Sequence, residues 1–251
     1  MGSGKPLVGV LGGMGPLATV DFLHKLVEEC QADRDQDHVP VLAWNVPQIP
    51  DRQKALTETG ESPLATLQAA VRLLEAAGAT RIVIPCNTAH YWFDALQAAS
   101  TVPFIHIVDA TLTRLRASGR SGERVGLLAT RGARDSRLYQ DRLDAVGIDS
   151  VVSSDEELDS LFTPGCYAVK RGSLIEGGQL LQRAAEQLLA RGATRLVLAC
   201  TEVPVALASI QSPLLEISVD TNRALASACV AYWQGAQPDC IGQASIADPD
   251  P

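Results

Sequence analysis

The sequence predicts an α/β chain of two similar parallel-sheet halves that face each other across one cleft. Three observations carry this expectation. Short apolar runs alternate with longer amphipathic stretches, which is the pattern of parallel strands joined by covering helices. The chain also repeats itself: LEAAGATRIVIPC at 74–86 returns as LLARGATRLVLAC at 188–200, an offset of 114, with GATR matched without a gap. Each copy of the repeat ends in a cysteine, Cys86 or Cys200, placed just past an apolar run.

Taken in order, the apolar runs give strands at 7–11, 41–45, 81–85, 104–107, 124–128, 148–152, 195–199 and 214–217. The amphipathic stretches between them give helices at 18–31, 63–77, 136–146, 176–191 and 221–235. Two further segments match at slightly different offsets: VPFIHIVDAT (102–111) with SPLLEISVDT (212–221), and VGVLGG (8–13) with VGLLAT (125–130). The halves are therefore expected at 1–117, carrying Cys86, and at 122–220, carrying Cys200. The Gly/Ser/Arg stretch at 117–122 is the boundary, and the C-terminal helix 221–235 is available to complete the first half.

Composition sets the outer limits. A chain of 251 residues with 46% apolar and 20% charged residues has the material for a sizeable core and does not read as disordered. A net charge of −8 disfavours nucleic acid and anionic membrane surfaces as partners, because both reward basic patches. No apolar run approaches the roughly 20 residues of a membrane span, and the first residues carry no apolar signal region. Six irregularly spaced cysteines without CxxC suggest reduced thiols in a cytoplasmic enzyme rather than a disulfide framework or a zinc site.

In an open α/β sheet, ligands bind beyond the carboxyl ends of the strands. Two halves related by a pseudo-two-fold axis would bring Cys86 and Cys200 to opposite sides of one cleft. Cys30, Cys166, Cys229 and Cys240 have no partner in the repeat and read as ordinary buried thiols. The thiols stand in PCNTAH (85–90) and ACTEVP (199–204), where small hydrogen-bonding residues open a helix. Backbone N–H groups there favour a thiolate and can hold a carboxylate, with Asn87, Thr88 and Thr201 as further donors. The same residue types also serve as helix caps. His90 and Glu202 lie close enough in sequence to assist proton transfer at the neighbouring thiol.

GGMGPLAT (12–19) lacks the spacing of a dinucleotide fingerprint and the lysine of a phosphate loop. It reads as a tight turn that lets backbone approach a small anion. Arg52, in NVPQIPDR (45–52), is placed to clamp a carboxylate, and Lys170, in AVKRG (168–172), is a second cation.

Together these segments resemble the aspartate/glutamate racemase superfamily, and within it the aspartate racemases. The resemblance covers nearly the whole chain through GGMGPLAT, NVPQIPDR, GATRIVIPCNTAH, LLAT (127–130), VKRG (169–172) and GATRLVLACTEV. It implies two flavodoxin-like domains with the active site between them, commonly in a homodimer, and racemisation without pyridoxal phosphate or metal. Cys86 and Cys200 take the places of the acid and base. Met14, Asn87, Thr88 and Thr201 would surround the α-carboxylate and amino group, and Arg52 and Lys170 would hold the side-chain carboxylate. Gln48 and Thr130 fall within the same motifs as further substrate contacts. An acidic amino acid is the implied partner, aspartate before glutamate or a broader range. A maleate isomerase or arylmalonate decarboxylase of the same superfamily, and a non-catalytic module binding acidic amino acids, stand as alternatives. A thiol redox protein is disfavoured by the absent CxxC.

Overall fold

The computed structural model describes residues 6–57, 59–118 and 123–235. The first half runs β1 (Val8–Leu11), α1 (Pro16–Cys30), β2 (Val41–Trp44), α2 (Arg52–Leu56), α3 (Leu64–Ala76), β3 (Arg81–Val83), α4 (Phe93–Ala98), β4 (Phe104–Ile105) and α5 (Ile107–Ser118). The second runs β5 (Arg124–Leu127), α6 (Arg131–Asp135), α7 (Gln140–Asp144), β6 (Asp149–Val152), α8 (Asp155–Glu157), α9 (Thr163–Lys170), α10 (Leu174–Ala190), β7 (Arg195–Leu198), α11 (Glu202–Ser209) and β8 (Ser218–Asp220). Helix α12 (Thr221–Trp233) closes the described chain.

Each half builds a four-stranded sheet, ordered β2-β1-β3-β4 and β6-β5-β7-β8, with every pairing parallel. The repeat seen in the sequence has a local physical cause. Gly78 and Gly192, both at φ 91°, end α3 and α10 in the left-handed region. Thr80 and Thr194 then tie the chain to the start of the central strand, Thr80 accepting from Leu7 N–H at 2.8 Å and Thr194 from Arg124 N–H at 3.1 Å. The same helix-stop and strand-start device thus delivers β3 and β7, and the cysteines beyond them, in the same way.

The main core lies between the two sheets. Val8, Val10 and Val83 of one sheet meet Val125, Leu127, Val197 and Val219 of the other, with Phe22 and Leu225 from flanking helices. Separate apolar clusters cover the outer faces, around Leu67 and Ile82 in the first half and around Phe162 and Leu196 in the second. Helix α12, although it follows β8, packs on α1 and α5 of the first half. Asn222 Nδ2 donates to the Ala18 carbonyl at 3.0 Å, and Lys25 bridges Asp21 and Asp220 at 2.6 Å each.

Several segments differ from the sequence expectation. The strand expected at 214–217 is a 3-10 turn, Pro213–Ile217, because Pro213 starts it and Ser212 accepts from Leu214 N–H; the strand is the following Ser218–Asp220. The strand at 104–107 stops at Ile105, since α5 starts at Ile107. The helix expected at 136–146 is reduced to α7 (Gln140–Asp144), because Ser136 caps the end of the preceding α6 and Arg137 turns to φ 52°. The alternation does not reveal α8, the π-helical turn Leu158–Phe162 or α9, because Pro164 and Gly165 interrupt their apolar periodicity. Most of the expected boundary at 117–122, and Cys240, lie outside the described residues.

Candidate active site

The strand order reverses direction between β1 and β3 in one sheet and between β5 and β7 in the other. Such switch points open a crevice beyond the strand ends. One cavity lies there between the halves, lined by Met14, Asp51, Arg52, Gln53, Cys86, Asn87 and Thr88 from the first half. Thr130, Cys166, Lys170, Cys200, Thr201 and Glu202 line it from the second. It leaves about 30 Å³ for water-sized molecules, and it adjoins a wider groove of about 460 Å³ that shares Asp51, Arg52, Lys170 and Glu202 with it.

Beyond β1 the chain turns sharply. Gly13 sits at φ 92°, and a Cβ there would come within 2.2 Å of the Val46 carbonyl oxygen. Thr19 Oγ1 fixes the turn, accepting from Gly13 N–H at 2.9 Å and donating to the Gly15 carbonyl at 3.1 Å. Met14 is thereby buried against the cavity.

Arg52 opens α2, which Asp51 caps by accepting from the N–H groups of Gln53 and Lys54. Nη1 of Arg52 donates to the carbonyls of Ile49 (3.2 Å) and Pro50 (2.9 Å). Its Nε is buried and has no hydrogen-bond partner among the described residues. A buried guanidinium with an unfilled edge is poised for a carboxylate. Lys170, at the end of α9, is exposed at the rim. Burial opposes its charge, but the neighbouring Glu202 and Cys200 outweigh that and hold its pKa above the ordinary lysine value. Two cations and two carboxylates therefore meet in this cavity, although the chain as a whole carries −8.

Cys86 and Cys200 are each 6% exposed, and both line the cavity. Burial pushes the Cys86 thiol up; Arg52 opposes this, Glu202 of the other half adds to it, and the Ala89 N–H and Lys170 lower it. The Cys200 thiol lies well above the ordinary range, because it hydrogen-bonds Cys166, is buried and faces Glu202. Cys200 Sγ donates to Glu202 Oε2 at 3.1 Å and lies 3.7 Å from Cys166 Sγ. Thr201 Oγ1 reaches the same Glu202 oxygen at 3.5 Å.

Buried polar groups connect the two halves beside the thiols. Asn87 Nδ2 donates to Thr221 Oγ1 (3.1 Å), which donates on to the Leu198 carbonyl (3.0 Å), while Tyr139 OH donates to Asn87 Oδ1. Among the described residues the second Asn87 N–H has no partner and is left for a ligand. Thr88 and Thr130 share a hydroxyl hydrogen bond of 2.9 Å, and Thr130 also caps α6.

Two expected residues are placed elsewhere. Gln48 is exposed and outside the cavity lining. His90 is buried behind Cys86, with Nδ1 on the Cys86 carbonyl at 2.9 Å and Nε2 accepting from Ile107 N–H at 3.3 Å. Both ring nitrogens are committed to backbone, and burial lowers its pKa to about 4. The ring therefore holds the Cys86 segment in place as a neutral group and has no nitrogen left to take a proton from the thiol. Glu202, in contrast, contacts its thiol directly. Cys166, Asp51 and Gln53 are the lining residues that the sequence reading did not single out. Cys166 stands one helical turn before Lys170, on the same face of α9, and that i, i+4 spacing is the signal that could have found it.

Among the described residues, no group of three or more His, Cys, Asp or Glu side chains is arranged to hold a metal, and no helix is long and apolar enough to cross a membrane.

Comparison with known proteins bears on the family and the fold. The Asp/Glu/hydantoin racemase family model matches residues 11–229. The chain is 28% identical over 237 residues to the broad specificity amino-acid racemase RacX of Bacillus subtilis (strain 168), covering 90% of this chain and 99% of the relative. The Picrophilus torridus aspartate racemase structure is 31% identical, with a TM-score of 0.77 over 91% of this chain and 94% of that one. The glutamate racemase of Campylobacter jejuni shares the fold at 20% identity, with a TM-score of 0.63 over 92% of this chain and 86% of that one.

Proposed function

The chain belongs to the Asp/Glu/hydantoin racemase family, and from that premise we propose that it interconverts the enantiomers of aspartate, without a cofactor, using Cys86 and Cys200 as acid and base. The observation that carries this reading is a single cavity bordered by two repeat-related thiols from opposite halves, with an unfilled edge of buried Arg52 beside them.

Inverting an α-carbon means removing its proton on one face and returning one on the other. Two opposed groups do this without turning the substrate over. In one direction the Cys200 thiolate takes the α-proton while the Cys86 thiol delivers one to the opposite face. The enzyme then holds the Cys86 thiolate and the Cys200 thiol, which is the state needed for the reverse direction. Glu202, already accepting from Cys200 Sγ, is placed to assist proton transfer at that thiol. Each positioned group is worth roughly 100- to 10,000-fold. The free N–H of Asn87 and the hydroxyls of Thr88 and Thr201 face the α-carboxylate, where negative charge develops, in a site nearly closed to water.

Arg52 and Lys170 take the β-carboxylate. A free space of about 30 Å³ suits a water rather than an amino acid, so the halves part to admit substrate from the adjoining groove. A second reading is a broader substrate range. It is favoured by the name of the Bacillus subtilis relative and by the roughly 1–3 kcal/mol that one methylene can discriminate. The racemase reading also carries the expectation of a cytoplasmic homodimer, which sedimentation of the purified protein tests.

The test is incubation with L-aspartate, L-glutamate or L-alanine in deuterated buffer without pyridoxal phosphate. α-Proton exchange is followed by NMR and optical activity by circular dichroism. Exchange with loss of optical activity, fastest for aspartate, is expected; neither effect with any of the three contradicts the proposal.

A further inference from the structure

The racemisation scheme uses two thiols, but three border the cavity. Cys166 Sγ lies 3.7 Å from Cys200 Sγ, and both side chains are buried except toward the cavity. A disulfide has its sulfurs about 2.05 Å apart, so small rotations of the two side chains close the gap. Helix α9 is held in place while they do so. A Cβ on Gly177 of α10 would come within 2.9 Å of the Gly165 carbonyl, and one on Gly165 within 2.9 Å of Leu181, so α9 and α10 are in backbone contact next to Cys166.

We propose that Cys166 and Cys200 form a reversible disulfide when a hydroperoxide enters the cavity, and that this bond switches racemisation off by occupying the Cys200 sulfur. Hydrogen peroxide has two heavy atoms and suits a space that holds little more than water. One of the two sulfurs, as thiolate, attacks a peroxide oxygen. The O–O bond breaks, and the departing hydroxide takes a proton to become water, leaving a sulfenic acid. The second sulfur gives up its proton and attacks the first. The S–S bond forms, the S–O bond breaks, and the departing hydroxide takes that proton to become a second water. The two thiols lose two electrons and two protons to the peroxide. A dithiol reductant reverses the change by exchange through a mixed disulfide. Because the thiolate is the attacking form, and the Cys166 hydrogen bond and burial both disfavour it at Cys200, cross-linking quickens as pH rises. A bound substrate fills the cavity and slows it.

The cross-link follows from the thiol geometry alone; the loss of activity rests on the two-thiol reading. The full chain is treated with hydrogen peroxide, alkylated, and mapped by non-reducing peptide mass spectrometry, with racemisation followed in parallel. The expected result is a Cys166–Cys200 linked peptide pair and an activity loss of at least about 100-fold at full cross-linking. Dithiothreitol should reverse both, and aspartate should slow both. In Cys166→Ser, relative to its own starting rate, peroxide should still inactivate, but dithiothreitol should no longer restore activity, because Cys200 is left to over-oxidise. A linked pair in a protein that keeps its activity supports the cross-link and overturns the role given to Cys200 in racemisation. Cys200 found as sulfinic acid, linked to Cys86 instead, or unmodified while other cysteines react would overturn the inference.

Discussion

Arg52→Ala tests how the site chooses its substrate. Arg52 is 8% exposed, and its Nη1 is taken by the Ile49 and Pro50 carbonyls. The edge formed by Nε and Nη2 is left for a ligand, and Nε has no partner among the described residues. With a β-carboxylate on that edge, the pair is a buried, hydrogen-bonded ion pair with a planar, two-point geometry. Truncating one partner of such a pair costs about 2–5 kcal/mol, so kcat/KM for L-aspartate should fall between roughly 30-fold and several thousand-fold. Alanine has no β-carboxylate, so its slow α-proton exchange at high enzyme concentration should change little. Arg52→Lys keeps the charge but not the fork, and should lose most of the same discrimination. The assay is circular dichroism of aspartate beside deuterium exchange of alanine, with thermal unfolding of each variant to check that the loop carbonyls released from Nη1 have not undone the fold. Unchanged aspartate turnover, or equal losses for both amino acids, would refute the assignment.

Three further outcomes follow from the same geometry. Gly13→Ala forces a Cβ within 2.2 Å of the Val46 carbonyl at φ 92°; it should lower stability by about 1–3 kcal/mol or more and raise KM through Met14, read from urea midpoints and steady-state kinetics. His90 takes up a proton near pH 6.5 when unfolded but only near 4 when folded, so between those values the unfolded state binds more protons. Stability should therefore fall as pH drops from about 6.5 through 4, by up to about 3 kcal/mol, and His90→Gln should flatten that limb in acid-unfolding curves. Glu202→Gln removes a negative neighbour that raises both Cys86 and Cys200, so the basic limb of the pH–rate profile should move to lower pH; an unmoved limb would mean that Glu202 does not act on the thiols.

The parts of this fold that were legible in the sequence are those with a repeated local cause. Gly78 and Gly192 stop a helix, Thr80 and Thr194 start a strand, and the same letters recur because the same geometry recurs. That repeat singled out Cys86 and Cys200 among six cysteines, and the structure places both on one cavity. What the sequence hid depends on tertiary placement. His90 looks like an acid–base group in PCNTAH, but α5 supplies a backbone N–H that occupies its second nitrogen. Cys166 looks solitary because its partner is 34 residues away and meets it only through tertiary packing, with α9 against α11. The strand expected at 214–217 yielded to Ser212 and Pro213, whose local bonds start a 3-10 turn before the sheet resumes.

The central claim is that two thiols work from opposite faces of one α-carbon, and single substitutions test it most directly. In deuterated buffer, Cys86→Ser and Cys200→Ser are each given L-aspartate and D-aspartate separately, and exchange and inversion are measured independently. The two-thiol account predicts that neither variant racemises, and that any residual exchange is confined to one enantiomer, the opposite one in each variant. Either single variant racemising at the wild-type rate would contradict it.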